Sequence, residues 1–314
     1  MTASIGNSTC LKLFGLKKYF LDFVELYNNN YFPKVILISG NKGIGKFTLA
    51  FHLVNYFLST KTKYEYDLKN MMINKESDYF GNILNGTNEN LVHIKNDNEK
   101  KITIDEIRNI KKKFNSSLMN KKPRFTIIDD VELLSKNIAN SLLKFIEEPS
   151  KNNYFILINN NRYELLETIK SRAIEFKIFI NNNEKKDILK KLIQYYDINI
   201  DIPEDFQDFD TPGMILNIDK NLKKLNISIN DSFYNTASIL LKDYKKNKNQ
   251  FSLECLNFLI EINLRKKLNN SESDLIKLID YKNNIIKLIH NFKKFNLSSG
   301  TVLEYIKEHK EYAT

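Results

Sequence analysis

The sequence predicts an α/β fold, in which helices cover both faces of a parallel sheet, followed by a region that is entirely helical. Three observations predict it. Short apolar runs alternate with amphipathic stretches over the first 180 residues, such runs then stop, and apolar residues recur every three or four positions in the rest of the chain. Strands covered on both faces are short and apolar because neither face meets water.

The predicted strands are five short runs rich in β-branched and apolar residues. Helices are predicted between them where apolar residues recur with helical spacing, which places one stripe of each helix against the sheet. This alternation of strands and helices is typical of an α/β domain. The strands are predicted at residues 35–39, 91–94, 125–129, 154–158 and 174–180, and the helices at residues 47–57, 104–114 and 137–147.

The helical part of the chain is predicted to begin with residues 184–196. An acidic segment that contains Pro203 and Pro212 follows, and we place the end of a small helical lid shortly after it, near Lys220. The later segments have lengths and patterns expected of an antiparallel helix bundle. We therefore predict three domains, over residues 1–180, 181–220 and 221–314, which the chain length of 314 residues allows.

Composition excludes several classes of protein. Cys10 and Cys255 are the only cysteines, too few for a disulfide framework and too distant in sequence to suggest a zinc pair. The first ten residues lack the pattern of a signal peptide, and no run approaches the roughly 20 apolar residues that span a bilayer. We expect a cytoplasmic protein without zinc and without membrane contact.

The net charge is strongly positive, with 48 Lys and Arg against 38 Asp and Glu, or +10. Such a charge attracts polyanions such as DNA. The lysines are dispersed along the whole chain, however, and compositional bias explains them at least as well. Charge alone does not separate a DNA-binding protein from a protein with a lysine-rich composition.

A glycine-rich loop joins the first predicted strand directly to a helix. It contains Gly40, Gly43 and Gly45, and Lys46 follows at once. Glycines let the backbone N–H groups surround a phosphate, the start of the helix adds partial positive charge, and the lysine reaches the outer phosphates. A purely structural turn is the alternative, but the order of strand, glycines, lysine and helix favours a phosphate-binding loop for ATP or ADP.

The residue after the lysine departs from the usual pattern. A Ser or Thr hydroxyl normally coordinates magnesium there, and this chain has Phe47. Thr48 comes one residue late, and one residue rotates a helical side chain by about 100°. We expect phosphate binding to be weak and magnesium binding to be doubtful.

Two acidic residues end the predicted strand at residues 125–129. A parallel strand delivers such carboxylates to the carboxyl edge of its sheet, where phosphates would lie. Asp129 and Asp130 are therefore candidate catalytic residues. Paired acids at the end of a strand also cap following helices, so the catalytic interpretation of this pair depends mainly on the phosphate loop beside it.

The stretch after these acids resembles the bacterial clamp-loader AAA+ family. Residues 140–149 read NSLLKFIEEP, an apolar strand follows at residues 154–158, and Ser171-Arg172-Ala173 comes next. The family has a helix ending in Glu-Glu-Pro, a sensor-1 strand and a Ser-Arg-Cys motif in that order. The resemblance covers about residues 12–220, and it implies an AAA+ P-loop domain, a helical lid and a C-terminal helical collar.

The resemblance also implies roles for individual residues. Arg172 matches the family's arginine finger, which acts in trans on the ATP site of a neighbouring subunit. Asp129 would orient magnesium, and Asp130 would activate water in place of the usual Glu, although its side chain is one methylene shorter. Sensor 1 falls at Asn159 or Asn160, and either asparagine could instead only end its strand.

Met214 stands where a sensor-2 arginine would normally contact phosphate. The weakened phosphate site and the retained Arg172 together imply a stator, a subunit that completes a pentameric ring and activates its neighbour. Its implied partners are the motor and delta subunits of the loader, the sliding clamp and primed DNA. The alternatives are a catalytically active clamp-loader ATPase and a basic DNA-binding P-loop protein.

Overall fold

The computed structural model describes residues 10–85, 87–95, 102–103, 105, 107, 122–149, 152–270 and 275–309. The chain divides into two compact units, Met1–Tyr196 and Asp197–Thr314. The helix predicted over residues 104–114 lies outside the described residues, apart from residues 105 and 107. The finer division at residues 180 and 220 stays a prediction.

The first unit is built on a five-stranded parallel sheet, which confirms the predicted fold class. In spatial order the strands are β2-β3-β4-β1-β5. Chain order therefore differs from spatial order, and the carboxyl ends of β1, β3 and β4 lie side by side at one edge. The strands are β1 (Val35–Ser39), β2 (Leu91–Lys95), β3 (Arg124–Asp129), β4 (Asn153–Asn159) and β5 (Ile174–Lys177).

Helices surround this sheet. Helix α2 follows β1 directly, and α4 lies between β3 and β4, as the sequence predicted. The helices of the first unit are α1 (Lys17–Asn28), α2 (Lys46–Ser59), α3 (Asp78–Leu84), α4 (Lys136–Ile146), α5 (Glu167–Lys170) and α6 (Asn182–Tyr196).

Alternate residues of the central strands enter two separate cores. On β1, Ile36 and Ile38 pack in the core that includes α1 and α2, whereas Val35 and Leu37 pack in the core that includes α4. All five residues of β1 are buried. Successive side chains of a strand point to opposite faces, so a strand covered on both sides must be apolar throughout.

We expected all five strands to be buried on both faces, but the outermost strand β5 is largely exposed. On β5, Ile174 is 55% exposed, and only Phe176 is half-buried. This strand also ends at Lys177 rather than at residue 180. Its partner β1 ends at Ser39, whose carbonyl accepts a last hydrogen bond from Ile178 N at 2.8 Å, and the chain of β1 then turns into the glycine-rich loop.

The second unit is helical within its described residues. Helix α7 starts with Pro212, a residue suited to the first turn because its missing N–H would have no helical partner. Helices α8 and α9 pack on each other, and α11 packs on α8 and α10. The helices are α7 (Pro212–Lys224), α8 (Phe233–Asn247), α9 (Gln250–Asn270), α10 (Leu275–Phe295) and α11 (Ser299–Glu308).

Among the described residues, no helix combines the length and the apolar character that a membrane span requires.

Candidate functional site

The glycine-rich loop has the backbone shape that its glycines permit. Gly43 and Gly45 have φ angles of 84° and 94°, in the left-handed region that favours glycine. Gly45 is the N-cap of α2, so the loop delivers the chain into the helix at the carboxyl end of β1. The first N–H groups of α2 have no partner within the helix and are the groups that a phosphate would bind.

Lys46 is the first residue of α2 and is only 3% exposed. Its Nζ donates hydrogen bonds of 2.7 Å to the carbonyl oxygens of Gly40 and Asn41. Burial lowers the pKa of Lys46 to about 8, and the nearby carboxylates, Asp129 first among them, oppose this effect. The predicted phosphate lysine thus lies inside its own loop, where a polyphosphate would have to compete with two carbonyl groups.

Phe47 belongs to the hydrophobic core. It is 8% exposed, its ring centroid lies 4.4 Å from that of His93 on β2, and it stacks on Phe51 at 6.0 Å. Burial and the charge of Lys95 lower the pKa of His93 to about 4, so this contact is between neutral rings near pH 7. Thr48 is half-buried at the next position. The place of the usual magnesium hydroxyl is therefore filled by an aromatic side chain.

The two acids meet at the carboxyl edge of the sheet, as the sequence predicted. Asp129 ends β3, and Asp130 follows with a left-handed φ of 57°, which Asp tolerates better than most residues. Both are buried, and Asp130 N donates to Asp129 Oδ1 at 3.0 Å. Burial, together with the charge of Asp130, raises the pKa of Asp129 to about 6.

The two asparagines at the end of β4 have different partners. Asn159 Nδ2 donates to Ser39 Oγ at 3.3 Å, which ties β4 to β1. Asn160 Nδ2 donates to Asp130 Oδ1 at 2.6 Å and to Asp129 Oδ1 at 3.3 Å. Asn160 is thus the asparagine that reaches the acids, a choice that the sequence left open.

Two charged residues of this network were missed by the sequence analysis. Glu132, in the 3-10 turn after Asp130, accepts a hydrogen bond from Asn160 N at 3.2 Å, and its side chain is fully buried. Arg162 pairs with Asp130 through Nη2 and with Glu132 through Nε, at 3.5 Å from Glu132 Oε1. Only five of the 48 basic residues are arginine, and this rarity was the one signal in the sequence.

Magnesium does not fit this set of residues in the way it fits an active P-loop ATPase. The hydroxyl ligand is replaced by Phe47, and Arg162 already pairs with Asp130 and Glu132. Across the described residues, no group of three or more His, Cys, Asp or Glu side chains is arranged to hold a metal ion.

A cavity of about 790 Å³ opens beside the phosphate loop within the first unit. Gly40, Asn41, Asn159 and Arg162 line it, together with Lys177 of β5. Its volume falls in the range of small-molecule sites. Gly40 and Asn41 at the start of the loop therefore face the same space as Arg162.

Arg172 lies at the opposite end of the strands, on the amino edge of the sheet. The pairing of Ile36 with Ile174 and of Ser39 with Lys177 places it two residues before β5, beyond the amino end of β1. At about 3.3 Å a residue, Arg172 is separated from the start of the glycine-rich loop by about 20 Å along the strands. The arginine cannot reach the phosphate loop of its own chain.

The surroundings of Arg172 are exposed. Its Nε donates to Glu147 Oε1 at 2.7 Å, and its Nη1 donates to Thr168 O at 3.0 Å and to Ser171 Oγ at 3.1 Å. The side chains of Arg172 and Glu147 are 34% and 44% exposed. In the described part of the chain, no acceptor is bonded to the Nη2 of Arg172.

Met214, the residue at the expected sensor-2 position, lies in the first turn of α7 and is buried within the second unit.

Comparisons with known proteins agree with these features. The profile of the family described as "DNA polymerase III, delta subunit" matches residues 15–181. A DNA polymerase III subunit delta' from Buchnera aphidicola subsp. Schizaphis graminum is 29% identical, over 89% of this chain and 88% of its own length. A DNA polymerase III subunit gamma from Buchnera aphidicola subsp. Acyrthosiphon pisum is also 29% identical, over 83% of this chain and 79% of its own length.

Among solved structures, a DNA polymerase III gamma subunit-related protein from Thermotoga maritima superposes with a TM-score of 0.50. It is 17% identical and covers 95% of this chain and 98% of its own. At this identity the likeness concerns the fold alone. Because the family profile spans more than half of the chain and agrees with the motifs, this chain belongs to the DNA polymerase III delta-subunit family of clamp-loader AAA+ proteins.

Proposed function

We propose that this chain is the stator of a DNA polymerase III clamp loader, a subunit that completes the AAA+ ring and places Arg172 in the ATP site of a neighbour. The loader would then open a sliding clamp and place it on primed DNA. The partners would be the motor and delta subunits of the ring, and the helices of the second unit would form its collar.

The observation that carries this proposal is the contrast between Arg172 and the chain's own phosphate site. Arg172 is exposed at the edge of the sheet that faces away from that site, and no acceptor among the described residues is bonded to its Nη2. A guanidinium in this place serves only a phosphate brought by another molecule. An arginine finger stabilises the charge that spreads over the transferring phosphoryl oxygens.

The chain's own site supports the second half of the proposal. Lys46 is held by carbonyl groups, Phe47 replaces the hydroxyl ligand, and Asp130 is paired with Arg162. ATP or ADP would bind there weakly, through Gly43, Gly45 and Lys46, without useful turnover. This disfavours the alternative of a motor subunit that hydrolyses ATP by itself.

The test is a reconstituted loader that contains either the wild-type chain or the Arg172→Ala variant. We expect ATP turnover at the neighbouring site, stimulated by clamp and primed DNA, to fall by about 10³-fold, because arginine fingers contribute about 10³ to 10⁵ to the rate. Single-turnover hydrolysis measures this site separately from the others.

Lys170→Ala is the matched control, since Lys170 lies two residues away and forms an exposed ion pair with Glu167. It removes one positive charge close to Arg172 in sequence and should leave turnover at the neighbouring site within about twofold. Assembly of each variant is checked by size-exclusion chromatography. An Arg172→Ala loader that assembles and hydrolyses ATP at the wild-type rate would falsify the proposal.

The second alternative, a basic DNA-binding protein, predicts a different result. The isolated chain would then bind DNA tightly at physiological salt, with an affinity that falls steeply as salt rises. Binding of a primed DNA to the isolated chain, measured by fluorescence anisotropy across a salt series, distinguishes the two functions.

A further inference from the structure

We propose that Arg162 is a built-in replacement for the divalent cation of this P-loop site, so that a nucleotide polyphosphate binds here without metal. The inference rests on the weak nucleotide binding proposed above for the chain's own site. It adds a residue outside the phosphate loop that determines the metal requirement of that binding.

The first argument is the geometry of the guanidinium. Arg162 spans two carboxylates of the turn that follows β3, since Nη2 pairs with Asp130 Oδ1 and Nε pairs with Glu132 Oε1. Asn160 closes the same network from β4, with its side chain on Asp130 and its backbone N–H on Glu132 Oε2. Arginine is suited to this place because its rigid fork of donors matches carboxylate groups.

The second argument is charge. Asp129, Asp130 and Glu132 lie within one buried cluster, with exposures of 8%, 4% and 9%. Buried carboxylates require a compensating cation, and a metal ion is the usual one at the carboxyl edge of a nucleotide-binding sheet. Here Arg162 and Lys46 supply that positive charge from the chain itself. A tethered guanidinium cannot dissociate or lose its proton near neutral pH.

The third argument is the position of Arg162 relative to the phosphate loop. Its side chain remains 20% exposed, and it lines the 790 Å³ cavity together with Gly40 and Asn41. A polyphosphate that extends along the loop past Gly40 and Asn41 would therefore meet the guanidinium of Arg162. Arginine binds phosphate oxygens as readily as carboxylates.

The experiment measures ATP binding to the full-length chain by isothermal titration calorimetry, in 5 mM MgCl₂ and in 5 mM EDTA. We expect the two dissociation constants of the wild-type chain to agree within about threefold, since no step of binding needs metal. In the Arg162→Gln variant, binding in EDTA should weaken by about tenfold or more, the size of one lost charged hydrogen bond. Magnesium should restore part of that loss, because it can then reach Asp130.

Three further variants make the result specific. Lys191→Gln removes an exposed positive charge of α6, paired with Asp187, and should leave both dissociation constants unchanged within about twofold. Arg162→Lys keeps the charge without the fork and should fall between wild type and Arg162→Gln. Lys46→Ala should weaken binding equally with and without magnesium. Circular dichroism melts establish that each variant is folded.

Two results would overturn the proposal. One is wild-type binding that tightens tenfold or more with magnesium, or that is absent in both buffers. The other is an equal effect of Arg162→Gln and Lys191→Gln, which would reduce Arg162 to a general electrostatic contribution. If Arg162→Gln does not fold, the wild-type comparison still decides. The stator function is tested separately, because it is read at the neighbour's ATP site through Arg172.

Discussion

An arginine lies at each end of the parallel strands, and the two differ in their surroundings. At the carboxyl edge, Arg162 pairs with two buried acids and lies in a network that also contains Asn160. At the amino edge, Arg172 is held by an exposed pair with Glu147 and by hydrogen bonds to Thr168 O and Ser171 Oγ. The difference follows from burial, since a buried carboxylate must be compensated within the fold, whereas exposed groups exchange partners with solvent at little cost.

This contrast gives Arg162 a structural role and leaves Arg172 exposed to solvent. Arg162, which a typical P-loop ATPase would not need, is the arginine that is fixed by buried carboxylates. Arg172 is held only by exposed partners, which can exchange with solvent.

The largest effect on stability is expected at the carboxyl edge, from Asp130→Asn. Asn accepts the left-handed backbone of this position, so the substitution removes charge without adding strain. Arg162 keeps its ion pair with Glu132 but loses the pair with Asp130, and breaking a buried pair costs about 3 kcal/mol. Urea unfolding followed by circular dichroism measures the loss.

Asp187→Asn is the control for this substitution. Asp187 pairs with Lys191 on the exposed side of α6, one turn away, and its loss should cost under about 0.5 kcal/mol. Equal losses for the two variants would mean that burial of the Arg162 network contributes nothing special.

A second prediction concerns pH, because the raised pKa of Asp129 makes the stability of the first unit pH-dependent. The folded-state pKa of about 6 exceeds the ordinary value of 3.8, so folding favours the protonated acid. This contribution is fully present below about pH 4 and is lost as pH rises through 6. The groups that oppose one another around Asp129 are Asp130, which raises its pKa, and Lys95 and Lys46, which lower it.

Comparison with Asp129→Asn isolates this contribution. Asn cannot titrate, so the unfolding free energy of the variant relative to wild type should rise by at most ~3 kcal/mol between pH 4 and pH 7. Urea unfolding at several pH values measures the difference. A flat difference across this range would show that Asp129 has an ordinary pKa in the folded chain.

The smallest effect is expected at the amino edge, from Glu147→Gln. The pair between Glu147 and Arg172 is exposed on both sides, and such pairs contribute under about 1 kcal/mol. Thermal unfolding of the chain should therefore change little. A loss of unfolding free energy above about 2 kcal/mol would contradict the contrast between Arg162 and Arg172, since Arg172 would then be a structural residue.

Much of the fold followed from local patterns. The first strand was predicted at residues 35–39 and is found there, because a strand buried on both faces must be apolar without interruption. The exposure of β5 was not predicted, since a run that begins with Ile174 has the same composition at the edge of a sheet as in its centre. Position within the sheet depends on pairing between distant segments, and apolar composition does not encode it.

The candidate site was predicted to a similar degree. The glycine-rich loop, Lys46 and the acids Asp129 and Asp130 each belong to one short motif and were found in sequence. The choice between Asn159 and Asn160 needed the tertiary contacts, because adjacent residues at the end of a strand point to different sides. Arg162 lies 32 residues from Asp130 and belongs to no motif.

The sequence by itself determined the class of the fold, the phosphate loop with its missing hydroxyl ligand, and the presence of an arginine in the Ser-Arg motif. These properties reside in runs of a few residues, where backbone conformation and chemistry are local. Only the tertiary structure decided that Arg162 pairs with Asp130 and Glu132 and that Arg172 faces away from its own phosphate site. Both depend on which strands lie side by side and in which direction they run, and those are set by packing across the whole sheet.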